Sequence, residues 1–307
     1  MRKILIYSSF LFSCSFLFGQ QANLKTKHVI IVVMDGARYQ ETFGDTTHQY
    51  IPYLNRLKTQ GILHTNFQND GYTLTNAGHT AILTGNYKPL KNNGKELPDY
   101  PNIFQYYQKE KGVDKYKTWI ATSKGKLEVL ANTKNKTWWN RYMPATYCGV
   151  KGQSVVYQND NIHFEKVKEI ITDYHPELML VNFLEADARG HQNNWDGYVG
   201  GIKNIDRLTH ELWNFIQNDP EMKDNTTLFI TNDHGRHNDG RRDGFKEHGC
   251  NCSGCRHIFL LGLGPDFKTN TTTDLPAGLI DISATIAYML NFQMPTSKGR
   301  VLTEMFK

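Results

Sequence analysis

Six residues of metal-ligating type carry most of the chemistry in this chain: Asp35, Asp187, His191, Asp233, His234 and His248. Asp35 ends the apolar run HVIIVVMD, Asp187 and His191 lie in DARGH after LMLVNFLEA, Asp233 and His234 form the DH of LFITNDHG, and His248 follows in KEHG. Three carboxylates and three imidazoles suit two zinc-like ions that keep open coordination positions. A hydroxyl, Thr75 in GYTLTNAGHTAILTG, lies between the first and second groups. Two metal ions beside an alcohol nucleophile are the equipment of phosphoryl or sulfuryl transfer.

Those side chains need elements that aim them at one place. A strand ending in a carboxylate delivers it to the carboxyl edge of a parallel sheet, where open α/β folds build their sites. HVIIVVM is a continuous β-rich apolar run, as a central parallel strand requires. ILHTNFQ, YKTWIATS, LMLVNFLEA, TTLFITND and RHIFLLGLGP read as further strands, the last of these as the final central one. IPYLNRLKTQG, NIFQYYQKEKG, FEKVKEIITDYHP, WDGYVGGIKNIDRLTHELWNFIQND and LIDISATIAYMLN read as helices. The alternation predicts an α/β fold, a mostly parallel central sheet with helices on both faces. NAGHTAILTG should start a helix right after Thr75 and close at Gly85, placing N–H donors and a positive dipole end beside the hydroxyl. The stretch from about 124 to 161 has no clean period, holds Trp138, Trp139, Tyr142 and Tyr147, and is expected to form an inserted lobe or lid. KTNTTTD (268–274) reads as a surface loop.

The 307 residues suffice for one large domain with a sizeable core. Residues 1–19 read as a secretory signal: MRK is a basic start, ILIYSSFLFSCSFLF an apolar stretch, and Gly19 a small residue near the cleavage point. A lipobox-like reading at Cys14 is the alternative. Residues 20–307 show no linker, so they are expected to be a single domain of a periplasmic or secreted protein. No later run is long enough for a membrane span. Losing Arg2 and Lys3 lowers the formal charge from +5 to +3, too weak to argue for a nucleic-acid partner. Cys148, Cys250, Cys252 and Cys255 then remain in an oxidising compartment. The C-x-C-x-x-C spacing in HGCNCSGC also suits a metal, but no further ligand is obvious, so one or two disulfides are expected.

VVMDGAR, PYLNRLKTQG, TNAGHTAILTG, DARGH, NDHG, EHG and the closing DISATIAYML and GRVL stand in one order from about His28 to Phe306. Together they resemble the alkaline phosphatase superfamily, on its branch of nucleotide pyrophosphatase/phosphodiesterases and threonine-type phosphatases. The resemblance implies that Asp35, Thr75, Asp233 and His234 hold one zinc and that Asp187, His191 and His248 hold the other, with Thr75 forming a covalent phosphothreonine. The same ligands accept manganese or iron. Related enzymes also set an asparagine amide on a phosphoryl oxygen. Asn76 and Asn93 are the expected substrate contacts, with Asn92 as the alternative to Asn93. Lys124 and Lys126 in ATSKGKLEVL resemble a lysine-x-arginine pair that grips a doubly charged phosphate, although lysine at the second position lacks the bidentate fork.

The expectation is an exported two-metal phosphate-ester hydrolase acting on a small molecule, with monoesters favoured. Phosphodiester and phosphonate hydrolysis are the enzymatic alternatives, and a phosphate-ester binding protein without turnover is the non-enzymatic one. The nucleophile region lacks the C/S-x-P-x-R pattern of sulfatases, and export argues against a cytosolic mutase.

Overall fold

The computed structural model describes residues 24–150, 156–241 and 243–307. The export signal expected in residues 1–19, with Cys14, lies outside the described residues. Alternation along β1 (His28–Met34) sets the layering. Val29, Ile31 and Val33 face one hydrophobic cluster while Ile30, Val32 and Met34 face another, so the strand is buried on both sides. The remaining elements follow in chain order: α1 (Pro52–Leu57), β2 (Gly61–Gln68), α2 (Thr75–Thr84), α3 (Ile103–Lys111), β3 (Thr118–Thr122), β4 (Ala145–Cys148), α4 (Asp160–Tyr174), β5 (Leu178–Phe183), α5 (Glu185–His191), α6 (Trp195–Asn218), β6 (Thr226–Thr231), α7 (Ser253–Arg256), β7 (His257–Leu263), β8 (Thr271–Thr273), β9 (Ala277–Gly278) and α8 (Leu279–Met289). Helices α2, α3 and α8 contribute to the first cluster, and α1, α4 and α6 to the second. Helix α6 does so through Ile202, Ile205, Leu208, Leu212 and Ile216, spaced three or four apart as one helical face requires.

The sheet order is β4-β3-β5-β1-β6-β7-β2-β8, with β9 beside β2. β1 pairs in parallel with β5 and β6, and β3 in parallel with β5 and β4. β7 departs from the parallel pattern, running antiparallel to both β6 and β2. The reason lies in its connection: the described residues 232–241 and 243–256 carry only short helical turns. An antiparallel neighbour needs no crossover helix, and His248 is thereby kept close to the strand ends.

Three expectations need correction. KTNTTTD contains β8, a three-residue edge strand on β2, because its threonines suit a strand even where both faces are polar. The aromatic segment after Lys124 supplies β4, which adds to the edge of the sheet against β3. No disulfide is present among the described cysteines. Cys148 is buried on β4 with its thiol toward the Ile120 carbonyl, and the Cys250 and Cys255 sulfurs are 3.8 Å apart. Among the described residues, no helix is long and apolar enough to cross a membrane.

Candidate active site

The ligand-type residues meet at the carboxyl edge of the parallel strands. Asp35 follows β1 directly, and Asp233 and His234 come two and three residues after the end of β6. The turn after Asp35 needs Gly36: its φ is +70°, and a Cβ there would stand 2.8 Å from Asp187 Oδ1. Gly78 lets α2 lie against the Asp233 backbone, where a Cβ would come within 2.5 Å of that carbonyl oxygen. Asp187 and His191 stand one turn apart on α5, so both project from the same face. His248 comes from the β6–β7 connection. Its Nδ1 lies 2.8 Å from the Thr73 carbonyl oxygen, leaving Nε2 turned toward the other ligands.

Two overlapping groups result. In the first, one ligand atom each from Asp35, Asp233 and His234 lies within 4.8 Å of the others. His234 Nε2 is 3.3 Å from Asp233 Oδ2, 3.8 Å from Asp35 Oδ1 and 3.5 Å from Thr75 Oγ1. In the second, His248 Nε2 is 3.6 Å from Asp187 Oδ1 and 3.1 Å from His191 Nε2, which is itself 3.4 Å from Asp187 Oδ1. The His234 and His248 rings stack at 3.8 Å and join the groups. Thr75 begins α2. The preceding Leu74 offers no side-chain cap, and the Asn76 N–H is instead donated to Asn92 Oδ1 at 3.0 Å.

Charge is finely divided here. Burial, and then the neighbouring Asp35 carboxylate, pushes Asp233 up to about 6. Burial alone would raise Asp187 too, but Lys124 and Arg236 outweigh it and hold its carboxyl well below the usual range. Burial, followed by the approach of His248, drives His234 well below the ordinary imidazole value. Burial brings His248 down to about 4, partly offset by Asp187. Both rings are therefore neutral at physiological pH, the form that ligates a metal.

These features fit a pair of divalent cations. Asp233 Oδ2 is buried and faces two imidazoles, His79 Nδ1 and His234 Nε2, each at 3.3 Å, an arrangement that a cation would complete. Lys124 is a stand-in cation: its fully buried ammonium spans the two groups, 2.8 Å from Asp35 Oδ1 and 2.6 Å from Asp187 Oδ2. Asp35, Asp233 and His234 form one candidate ligand group and Asp187, His234 and His248 the other, sharing His234; Thr75 lies beside the first and His191 beside the second.

The two lysines are buried, not solvated on a loop. Lys124 Nζ reaches to 3.5 Å from Thr75 Oγ1, and Lys126 Nζ donates to Asn92 Oδ1 at 3.1 Å. Asn92 thus stands at the start of α2 and replaces Asn93 as the nearby asparagine. Asn93 is taken up by its own turn, where its Oδ1 accepts the Lys95 N–H. The Asn76 side chain turns to the Lys126 carbonyl at 3.4 Å.

Three further residues support the site and were not singled out from sequence. Arg236 is fully buried and donates to Asp187 Oδ1 and to the carbonyls of Phe245 and Lys246. Asn182 donates to Asp35 Oδ2 at 3.0 Å and lies 3.1 Å from His79 Nε2. His79 has Nδ1 2.9 Å from the Thr75 carbonyl oxygen and 3.3 Å from Asp233 Oδ2. Asn182 carried a signal, a polar side chain inside the apolar run LMLVNF, because a buried amide needs partners. Arg236 carried none. Behind the site, Asp160 accepts from Ser123 Oγ at 2.6 Å and from the Leu184 and Glu185 N–H groups, tying together the ends of β3 and β5.

Known proteins resemble this chain in sequence and in fold. The family model for the metalloenzyme superfamily matches residues 27–294. Over 134 residues the chain is 28% identical to a 2,3-bisphosphoglycerate-independent phosphoglycerate mutase of Legionella pneumophila (strain Corby), covering 43% of this chain and 24% of that protein. The match thus spans about a quarter of that curated relative's length. Murine ectonucleotide pyrophosphatase/phosphodiesterase 5 in complex with AMP superposes with a TM-score of 0.63 at 15% identity, covering 87% of this chain and 96% of that one. The phosphonate monoester hydrolase from Silicibacter pomeroyi gives 0.63 at 14% identity, covering 90% and 76%. These structures share the α/β architecture with its mostly parallel central sheet.

Proposed function

The chain belongs to the metalloenzyme (alkaline phosphatase-like) superfamily, and we propose that within it the protein is an exported phosphate-ester hydrolase with Thr75 as its nucleophile and monoesters as its preferred substrates. The observation that carries the reading is the convergence on Thr75. Its hydroxyl lies 3.5 Å from both the His234 Nε2 and the Lys124 ammonium, at the first residue of a helix. The export part rests on residues 1–19 alone.

In this reading the two ligand groups each hold a divalent ion, with zinc as the favoured identity. When bound, such ions lower the pKa of an alcohol nucleophile and stabilise a leaving oxygen. The chain's own groups do the rest. Thr75 Oγ displaces the alcohol from phosphorus to give phosphothreonine, and water then displaces Thr75 to release phosphate. The start of α2 presents a positive dipole end to an anion. Lys124 and Lys126 add two positive side chains where a doubly charged phosphoryl group would sit. Asn182 and His79 hold Asp35 and the Thr75 backbone in place.

Side-by-side kinetics on a phosphate monoester, a phosphate diester, a sulfate ester and a phosphonate test the reading, with and without a chelator. Turnover should be highest on the monoester, vanish on chelation and return with zinc. Faster diester turnover would transfer the assignment to a phosphodiesterase. Full activity in metal-free protein would end the two-metal reading, and binding without turnover would favour a phosphate-ester binding protein.

A further inference from the structure

The connection that carries His248 holds a second cluster of ligand-type residues. Cys250, Cys252 and Cys255 were expected to form disulfides for want of a fourth metal ligand. The fold supplies that residue. His237, on the opposite side of the same connection, brings a ring nitrogen within 4.8 Å of the Cys250 and Cys255 sulfurs. We propose that His237, Cys250, Cys252 and Cys255 bind a structural zinc ion, separate from the ligand groups of the active site.

Four observations carry this. First, two sulfurs on a tetrahedral zinc with Zn–S bonds of about 2.3 Å stand about 3.8 Å apart, and the Cys250 and Cys255 sulfurs are 3.8 Å apart. Second, His237 Nε2 is buried and has no hydrogen-bond partner, while Asp243 lies 3.9 Å from Nδ1. A carboxylate near one ring nitrogen with the other left open is how metal-binding imidazoles are oriented. Third, the Cys250 sulfur accepts from the Cys252 N–H at 3.3 Å and from Arg241 Nη1 at 3.2 Å, donors that suit a thiolate. Fourth, the Cys252 thiol hydrogen-bonds with the Cys250 and Cys255 side chains, so three cysteines and one histidine make a closed ligand set of the kind structural zinc sites use.

Loading releases three thiol protons to solvent and forms three Zn–S bonds and one Zn–N bond. The resulting centre carries one net negative charge beside Arg241. It would clamp the two sides of the connection, already joined by the His237 N–H to the Glu247 carbonyl and the Gly235 N–H to the Cys255 carbonyl, both at 2.8 Å. Cys250 is two residues from His248, and its carbonyl accepts the Thr73 hydroxyl at 2.9 Å. The ion would therefore fix both an active-site ligand and the approach to Thr75.

The test uses the full-length chain, purified reduced and without chelator. Elemental analysis should find one more zinc per chain in the wild type than in Cys252→Ser or Cys255→Ser. A mercurial thiol reagent should release one equivalent of zinc as three thiols are consumed. If the variants fail to fold, cobalt decides on the wild type. Cobalt-loaded reduced protein should show thiolate-to-cobalt charge transfer in the near ultraviolet, which Asp and His ligands alone cannot produce. Its absence overturns the proposal. So does a Cys250–Cys255 or Cys252–Cys255 disulfide in protein that releases no zinc to the thiol reagent.

Discussion

Asp35, Asp233 and His234 are completely buried, whereas in the neighbouring group His191 leaves 39% of its side chain in solvent. The two pockets differ in how they are built. The enclosed pocket draws its ligands from residues immediately beyond β1 and β6, which share a ladder of hydrogen bonds. The open pocket draws Asp187 and His191 from the seven-residue helix α5 and His248 from a long connection. Strand ends can hold ligands rigidly out of water. A short helix and a loop admit solvent and can yield. We therefore expect the enclosed pocket to bind its ion tightly and to anchor the nucleophile, and the open pocket to exchange its ion with solvent.

The largest effect tests the anchor. Thr75→Ala should reduce kcat by about 10⁴-fold or more, as loss of a covalent nucleophile does, while Thr75→Ser should keep part of the rate. Acid quench during turnover should leave phosphate on Thr75. Label on Thr73 would move the nucleophile away from the enclosed pocket and break the comparison at its centre.

The next effect separates the pockets directly. Asp35→Asn should cost on the order of 10³-fold in kcat even at saturating zinc, since a bound ion contributes several kcal/mol to the transition state. His191→Ala should weaken ion binding by roughly 10- to 100-fold and be largely rescued by excess zinc, because Asp187 and His248 remain. Under a chelator, zinc should leave the two active-site pockets of the wild type in two phases, the faster one missing in His191→Ala. A single phase would mean that burial does not govern exchange here.

How much of this was legible in the sequence follows the same division. The enclosed pocket was readable because each of its carboxylates follows an apolar run long enough to be a buried strand. The helix α5 was hidden by the run LMLVNFLEA, which continues past the true strand end at Phe183 into the first helical turn. Arg236 could not be found, since its place beside Asp187 depends on how residues 232–256 fold back and not on any local pattern. The choice between Asn92 and Asn93 failed for the same reason. Adjacent residues point differently, and only the packed turn shows that Asn92 reaches α2. His237 joined the cysteines only through tertiary structure.

A smaller effect appears in the acid range. Burial, reinforced by Asp35, pushes Asp233 up to about 6. A cation entering the enclosed pocket must displace that proton whenever the pH is below this value. Affinity should therefore be full above about pH 6 and fall about tenfold per unit below it, for one proton displaced. Zinc competition titrations at pH 7, 6 and 5 on His191→Ala, in which the open pocket is weakened, read this slope. Asp233→Asn should bind more weakly yet lose the slope. An affinity flat across that range would show that the two carboxylates do not share a proton in the empty pocket.

The last effect concerns Lys126, which holds Asn92 at the start of α2. Burial, and then the charge of Lys124, brings Lys126 down to about 8. A lysine lowered in this way is charged below that pH and neutral above it. A monoester carries about two negative charges and a diester one, so monoester kcat/KM should fall as the pH rises past about 8, and diester turnover should fall less. Cations bound in either pocket move this limb down, never up, because added positive charge favours the neutral amine. A charge-assisted contact of about 1.5–3 kcal/mol sets the drop at roughly tenfold to a hundredfold. Lys126→Ala should show the low rate at every pH. Lys126→Arg keeps its charge throughout and should abolish the alkaline limb if the longer, forked side chain is accommodated beside Asn92. A limb that persists in Lys126→Arg belongs to another group. Equal losses on both esters would assign the lysine to holding Asn92 at the start of α2 and leave the monoester preference to the open pocket.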